Sequence, residues 1–241
     1  MKTFMRSIRS YHFRFFFIIL AVSIHSTSFS AEDYSDINNA LFDSPHMKNI
    51  RSPGVLEYAY KSIINTKVIE DKITITVSNI QKNGRTNESF SFFSGDKKRK
   101  YPDRENVIGN AVFMYYLEKD VHDLEKKTGG SWRHFQRRIR WAMAAGAAKK
   151  EINIDYNGEK ITATQYTIQP FANDKDKKRY GSYVNKYYRF ILSKDIPGMI
   201  YKIVTFVPKT EKWKEGDALL EDESMTFKSF NPTIKQATQS Q

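Results

Sequence analysis

Hydrophobic residues in the middle of the chain recur at the spacing of a helix. The positions are Phe113, Leu117, Val121 and Leu124. Separations of four, four and three place them on one helical face. A second apolar stripe follows, made of Trp132, Phe135, Ile139, Ala142 and Met143. The pattern predicts a hairpin of two helices over residues 110–144, with Gly129 and Gly130 forming the turn between them.

The ends of both helices carry suitable capping residues. Asn110 is the expected N-cap of the first helix, because its side chain can accept a hydrogen bond from a free amide of the first turn. Lys126 and Lys127 fall in the last turn, where the helix dipole favours cations. Ser131 is the expected N-cap of the second helix.

On both sides of the helices, apolar and polar residues alternate, as in strands with one wet face. Clear examples are Leu56, Tyr58 and Tyr60, then Ile73, Ile75 and Val77, and later Tyr188, Phe190 and Leu192. The pairs Asn83-Gly84 and Asn157-Gly158 are typical of hairpin turns. We predict an α+β fold: a curved, half-barrel-like antiparallel sheet of about eight strands, with the two-helix hairpin packed on it.

The ends of the chain differ from this pattern. Residues 1–30 have a basic start, the apolar core FFFIILAV and small residues before the expected cleavage point, which indicates a cleavable signal peptide. We expect residues 31–53 to form an N-terminal segment with a short helix. Residues 54–230 are predicted to form a single domain, and residues 231–241 a flexible tail. The protein is therefore expected in the periplasm, or secreted.

Composition narrows the choice of partners. The chain has no cysteine, which excludes disulfides and thiolate metal sites. Its formal net charge of +12 favours an anionic partner. In an envelope compartment this means lipid headgroups, polysaccharide or acidic proteins, and we expect no nucleic acid. The sequence leaves the oligomeric state open.

The chain is rich in aromatic residues, with 17 Phe, 14 Tyr and 3 Trp. Rings beyond those needed for the core would line a cavity between the sheet and the helices. We therefore expect a non-catalytic carrier for an apolar or acyl-chain ligand. The predicted contacts are Phe113, Leu117, Trp132, Phe135, Tyr188 and Phe190.

Two basic clusters support an alternative, an envelope scaffold that docks an anionic partner. Arg133, Arg137 and Arg140 form a cationic stripe on the second helix. Lys97, Lys98, Arg99 and Lys100 form a basic run before the first helix. Such a run is usually a solvated loop, but it can also contact anionic headgroups.

Catalytic chemistry has less support. Glu118, Asp120 and His122 would be the residues of a carboxylate-dependent envelope hydrolase. Charge clusters of this kind more often form ion pairs, and we expect the acids of the first helix to pair with the arginines of the second. We expect no catalytic residue, no metal site and no cofactor.

Three motifs resemble an uncharacterised family of exported bacterial proteins. They are LFDSPHM (41–47), GNAVFMYYLEKDV (109–121) and TGGSWRHFQRRIR (128–140). Ala111 stands where the family pattern has proline, a rigidifying option at a first helical turn. The order of elements is also similar to that of the periplasmic lipoprotein-carrier fold, a half-barrel covered by helices. That resemblance implies binding of acyl chains.

Overall fold

Ten antiparallel strands form one curved, open sheet in the computed structural model, which describes residues 35–233. The strands are β1 (Gly54–Ile64), β2 (Lys67–Ser78), β3 (Thr86–Phe92), β4 (Arg99–Lys100), β5 (Arg104–Val107), β6 (Ala148–Tyr156), β7 (Glu159–Ile168), β8 (Tyr187–Leu192), β9 (Ile200–Pro208) and β10 (Leu219–Pro232). The predicted signal peptide lies outside the described residues, as does the predicted tail from residue 234 onward. Asn231 and Pro232, which the sequence assigned to the tail, end β10 and pair with Val55 and Gly54. The predicted α+β fold is confirmed, with β4 and β5 as short strands that the sequence did not indicate.

The strand order is β4-β3-β2-β1-β10-β9-β8-β7-β6, and β5 also pairs with β3. The pairing of β1 with β10 joins the first and last long strands in the middle of the sheet. Between β6 and β7, Asn157 and Gly158 both have positive φ, 51° and 84°, as the Asn-Gly pair predicts.

The helical hairpin is also confirmed. Helix α1 (Asp36–Asn38) continues as a π-helical turn to Asp43, and the hairpin consists of α2 (Val112–Thr128) and α3 (Trp132–Ala144). The Asn110 side chain accepts a hydrogen bond from the Val112 amide at 3.1 Å. The Ser131 hydroxyl does not cap α3, and the His134 amide donates to the Ser131 backbone carbonyl at 3.0 Å. The Trp132 amide donates to the Glu125 carboxylate at 3.1 Å.

Both helices bury one face against the sheet in a common core. Phe113, Val121 and Leu124 of α2 and Phe135 of α3 are almost fully buried, as their spacing predicts. The Tyr115 ring packs edge-on against Phe90 of β3 at 4.7 Å. Among residues 35–233, no helix is long and apolar enough to cross a membrane.

The N-terminal segment belongs to this core. Ile37, Leu41 and Met47 are buried in it. His46 is fully buried, with Nε2 2.7 Å from the Ala40 carbonyl oxygen and Nδ1 3.2 Å from the Asn110 amide nitrogen. A neutral ring satisfies both contacts, by donating from Nε2 and accepting at Nδ1. Burial lowers the pKa of His46, which agrees with this state, so His46 joins the segment to the start of α2.

Buried charges connect α2 to the central strand of the sheet. Lys119 Nζ lies 2.6 Å from the Glu223 carboxylate of β10 and 3.0 Å from Asp123. Burial acts to lower the pKa of Lys119, but the neighbouring carboxylates outweigh it and raise the pKa above its usual value. In the last turn of the helix, Lys127 pairs with Glu221 of β10 at 2.7 Å.

A second buried pair joins α2 to the start of β8. Asp120 Oδ1 lies 2.5 Å from Lys186 Nζ, and the Tyr188 hydroxyl donates to Asp120 Oδ2 at 2.7 Å. All three side chains are almost inaccessible to solvent. Burial, followed by the charge of Asp120, raises the pKa of Tyr188 well above its usual value, so the hydroxyl stays protonated and donates.

The β8–β9 turn packs closely against the Asn110 side chain at Gly198. Gly198 has a φ of 71°, and a Cβ there would lie 2.9 Å from Asn110 Nδ2. We expect Gly198→Ala to lower the free energy of unfolding by about 3 kcal/mol, through backbone strain and overpacking. Gly158→Ala is the control, because its φ is 84° with no atom within 4 Å, and should cost about 1 kcal/mol. Equal losses in urea unfolding would contradict the close fit.

Removal of one charge from the buried Asp120–Lys186 pair should strongly lower the free energy of unfolding. Asp120→Asn leaves Lys186 buried without a carboxylate, and we expect the free energy of unfolding to fall by about 3–5 kcal/mol. Glu70→Gln breaks the exposed Lys61–Glu70 pair, whose atoms are 3.0 Å apart, and should cost less than about 1 kcal/mol. Urea unfolding of both variants at pH 7 measures the difference. A loss below 1 kcal/mol for Asp120→Asn would show that the pair does not hold the helix.

Candidate binding site

The six residues predicted to contact an apolar ligand lie in or against the core. Phe113, Phe135, Tyr188 and Phe190 are at most 2% exposed. Leu117 and Trp132 are half-buried and pack on the same core. A ligand between the sheet and the helices would have to displace these side chains. The ligand contacts of these residues stay a prediction.

The three residues of the hydrolase alternative do not converge. Asp120 is enclosed by Lys186 and Tyr188, Glu118 is exposed, and His122 pairs with Glu125 at 3.5 Å. The predicted catalytic grouping is therefore wrong for these side chains. Within residues 35–233, no group of three or more His, Asp or Glu side chains is placed to hold a metal ion.

The predicted ion pairs between the acids of α2 and the arginines of α3 are also wrong. Asp123 pairs instead with Lys119 at 3.0 Å and with Arg99 at 3.7 Å. The reason is geometric, since Asp120 and Asp123 lie on the side of α2 that meets the sheet. On α3, Arg138 pairs with Asp174 in the loop after β7 at 3.2 Å.

The remaining arginines of the α3 stripe are exposed. Arg133, Arg137 and Arg140 form no ion pair with a carboxylate of the described residues. The Arg133 guanidinium lies over the Trp132 ring at 4.5 Å, and that of Arg137 lies 5.4 Å from the Trp141 ring centre. Their charges are therefore available to an external anion.

Arg137, Arg140 and Trp141 border an open groove between α3 and the N-terminal segment. We call it the arginine–tryptophan groove and define it by Phe42, Asp43, Arg137, Arg140 and Trp141. Its volume is about 600 Å³. Trp141 is 55% exposed and Phe42 48%, which is unusual for large apolar side chains. The groove therefore combines apolar surface with two cations.

A polar cluster under α3 holds this arginine side of the helix in place. His134 Nε2 lies 2.7 Å from Asp174 Oδ2 and 2.8 Å from the Tyr180 hydroxyl, and Arg137 approaches His134 Nδ1 at 3.3 Å. Burial, then the charge of Asp174, raises the pKa of Tyr180 to about 12. Sequence reasoning missed Phe42, Asp174 and Tyr180, because nothing in their local pattern places them beside α3.

The basic run before α2 is arranged differently. Lys97 ends a short 3-10 turn and Lys98 is exposed, while Arg99 and Lys100 form β4. Asp71 and Asp96 line the same surface depression as Lys97, Lys98 and Arg99, and Arg99 also approaches Asp123. Carboxylates therefore offset part of this positive charge. The predicted contact of the run with an anionic partner stays a prediction.

A second groove adjoins the first, because Phe42 lines both. We call it the Met114 groove and define it by Phe42, Arg85, Arg104, Phe113 and Met114. Its volume is about 350 Å³. Arg85 donates to the Asn106 carbonyl oxygen at 2.7 Å, and Arg104 Nη1 lies 3.7 Å from Met114 Sδ.

A buried carboxyl group lies near the Met114 groove. Glu88 of β3 faces Arg104 across the β3–β5 pair and is 1% exposed, and neither oxygen has a well-formed hydrogen bond within the described residues. Burial raises the pKa of Glu88 to about 7, although the nearby Ala111 amide and the Arg104 charge act to lower it. Glu88 is therefore protonated in the folded protein over a wider pH range than a free glutamate.

The raised pKa of Glu88 predicts a pH-dependent stability. The folded state binds this proton more tightly than the unfolded state does. The resulting stabilisation is therefore complete below pH 4.5 and is lost as the pH rises through about 7. Glu88→Gln should remove this loss, and its stability relative to the natural protein should rise by on the order of 3 kcal/mol between pH 4.5 and pH 8. Urea unfolding of both proteins across this range tests it. A difference that does not change with pH would contradict the assignment.

The sequence matches no family model and no curated protein sequence. The crystal structure of MucB is similar with a TM-score of 0.37 and 13% identity, covering 87% of this chain and 62% of MucB, so this chain spans less than two thirds of that protein. The Mycobacterium tuberculosis lipoprotein LppX is similar with a TM-score of 0.31 and 9% identity, covering 76% of this chain and 89% of LppX. At these scores the likeness carries no argument about what this chain binds, and its resemblance to an exported family stays a prediction.

Proposed function

We propose that this chain is an exported, non-catalytic binding protein of the cell envelope, and that it binds an anionic amphiphile at the arginine–tryptophan groove. One observation carries the proposal. Trp141 and Phe42 are exposed beside Arg137 and Arg140, whose charges have no carboxylate partner among the described residues.

The chemistry of the groove suits such a ligand. A guanidinium group binds a phosphate or carboxylate through two parallel hydrogen bonds. The indole and phenyl rings supply apolar surface that water covers poorly and an alkyl chain covers well. An anionic headgroup would therefore contact Arg137 and Arg140, while the adjoining alkyl chain lies along Trp141 and Phe42.

Binding at the arginine–tryptophan groove would keep the apolar part of the ligand outside the core. A carrier that held an acyl chain between the sheet and the helices would have to open the packing of Phe135, Tyr188 and Phe190. It would also have to separate α2 from Glu223 and Lys186, which bind it through buried ion pairs. Binding at the outer groove requires neither change.

Titration with a short-chain phosphatidylglycerol, kept below its micelle concentration, tests the proposal. Isothermal titration calorimetry should detect binding to the exported protein, and much weaker binding of the matching phosphatidylcholine. Arg137→Glu with Arg140→Glu should reduce the affinity at least about tenfold, because two charge-assisted contacts are lost.

The matched control is Lys209→Glu with Lys212→Glu. It changes the net charge equally on an exposed loop after β9, and its affinity should stay within about twofold of the natural protein's, because salt screens distant exposed charges. Equal losses in the two double variants, or no binding by the natural protein, would overturn the proposal. Circular dichroism confirms that each variant is folded.

A further inference from the structure

Large exposed hydrophobic side chains concentrate on one side of the described structure. Phe42, Met114 and Trp141 are 48%, 42% and 55% exposed, and they are three of the four such residues among positions 35–233. Because Phe42 lines both grooves, the three form one continuous patch. The fourth, Val68, lines neither groove. An apolar patch of this kind marks a contact surface.

Arginines flank the patch on both sides. Arg85 and Arg104 line the Met114 groove, and Arg137 and Arg140 line the arginine–tryptophan groove. None of the four forms an ion pair with a carboxylate within the described part of the chain. Asp43 is the single acidic residue that lines either groove.

We propose that the two grooves together dock the protein on an anionic lipid surface. The inference rests on the proposed function and deepens it, because it names the ligand as the headgroups of an assembled bilayer. The arginines would contact lipid phosphates, while Phe42, Met114 and Trp141 enter the headgroup region between them.

The physics of interfacial binding supports this occupant. Each basic residue near an anionic membrane strengthens binding about fivefold. Tryptophan and other amphipathic or apolar side chains sit at headgroup depth and add to that attraction. The basic run at Lys97–Lys100 differs, since it shares its surface with Asp71 and Asp96.

Co-sedimentation of the exported protein with vesicles provides the test. The protein should bind vesicles of phosphatidylglycerol and phosphatidylcholine, fail to bind pure phosphatidylcholine, and dissociate as salt is added. Arg85→Glu with Arg104→Glu should weaken vesicle binding at least about 25-fold. Phe42→Ser with Met114→Ser should weaken it about tenfold, because apolar surface no longer enters the headgroup region.

Two matched variants control for folding and for the overall net charge. Arg85→Lys with Arg104→Lys preserves the charge and should keep vesicle binding within about threefold, which separates charge from folding. Lys97→Glu with Lys98→Glu changes the net charge as much as the arginine reversal does, yet should weaken binding by less than about threefold.

The outcomes separate this inference from the proposed function. Binding of monomeric phosphatidylglycerol without vesicle binding would keep the arginine–tryptophan groove as a ligand site and overturn membrane docking. Vesicle binding that is lost equally in the Lys97/Lys98 variant would overturn it as well, by showing that overall charge decides. Cross-linking of the two grooves to an acidic protein, with no vesicle binding, would assign the face to that protein instead.

Discussion

The buried ion pairs between α2 and the sheet are the interaction on which the rest of the structure depends. Lys119 with Glu223 and Asp120 with Lys186 remove four charges from water. This is favourable only because each pair is close and has a further polar contact, from Asp123 to Lys119 and from Tyr188 to Asp120. Separating the helix from the sheet would expose or isolate all of them. The space between the two layers is therefore closed by charge as well as by packing.

The same pairs explain why the outer surface is cationic. Asp120 and Asp123 of α2 form ion pairs with Lys186, Lys119 and Arg99. The helical hairpin therefore has fewer carboxylates that could pair with the arginines of α3. Arg138 pairs with Asp174, while Arg137 and Arg140 remain exposed to solvent. One distribution of charge thus stabilises the interior and leaves Arg137 and Arg140 exposed for the anion contact that we propose.

Sequence periodicity was sufficient for the helical hairpin and the eight longer strands, because helices and strands impose spacings that Phe113, Leu117 and Val121 display locally. It did not indicate the short strands β4 and β5. Pairing between distant residues left no such trace. Glu223 is over one hundred positions from Lys119, and Phe42 reaches the groove only because α1 packs beside α3. For that reason the sequence predicted the exposed arginine stripe, but assigned wrong partners to the acids of α2 and could not show the groove.

The three tryptophans provide the most direct test of where binding occurs. Trp141 lies in the arginine–tryptophan groove, Trp132 packs near His122 at the other end of α3, and Trp213 packs at a tilt against Phe206. Fluorine NMR of the 5-fluorotryptophan protein, with vesicles that carry spin-labelled phosphatidylglycerol, should broaden the Trp141 resonance and leave the other two sharp. Broadening of Trp213, or of all three resonances alike, would contradict binding at the outer grooves.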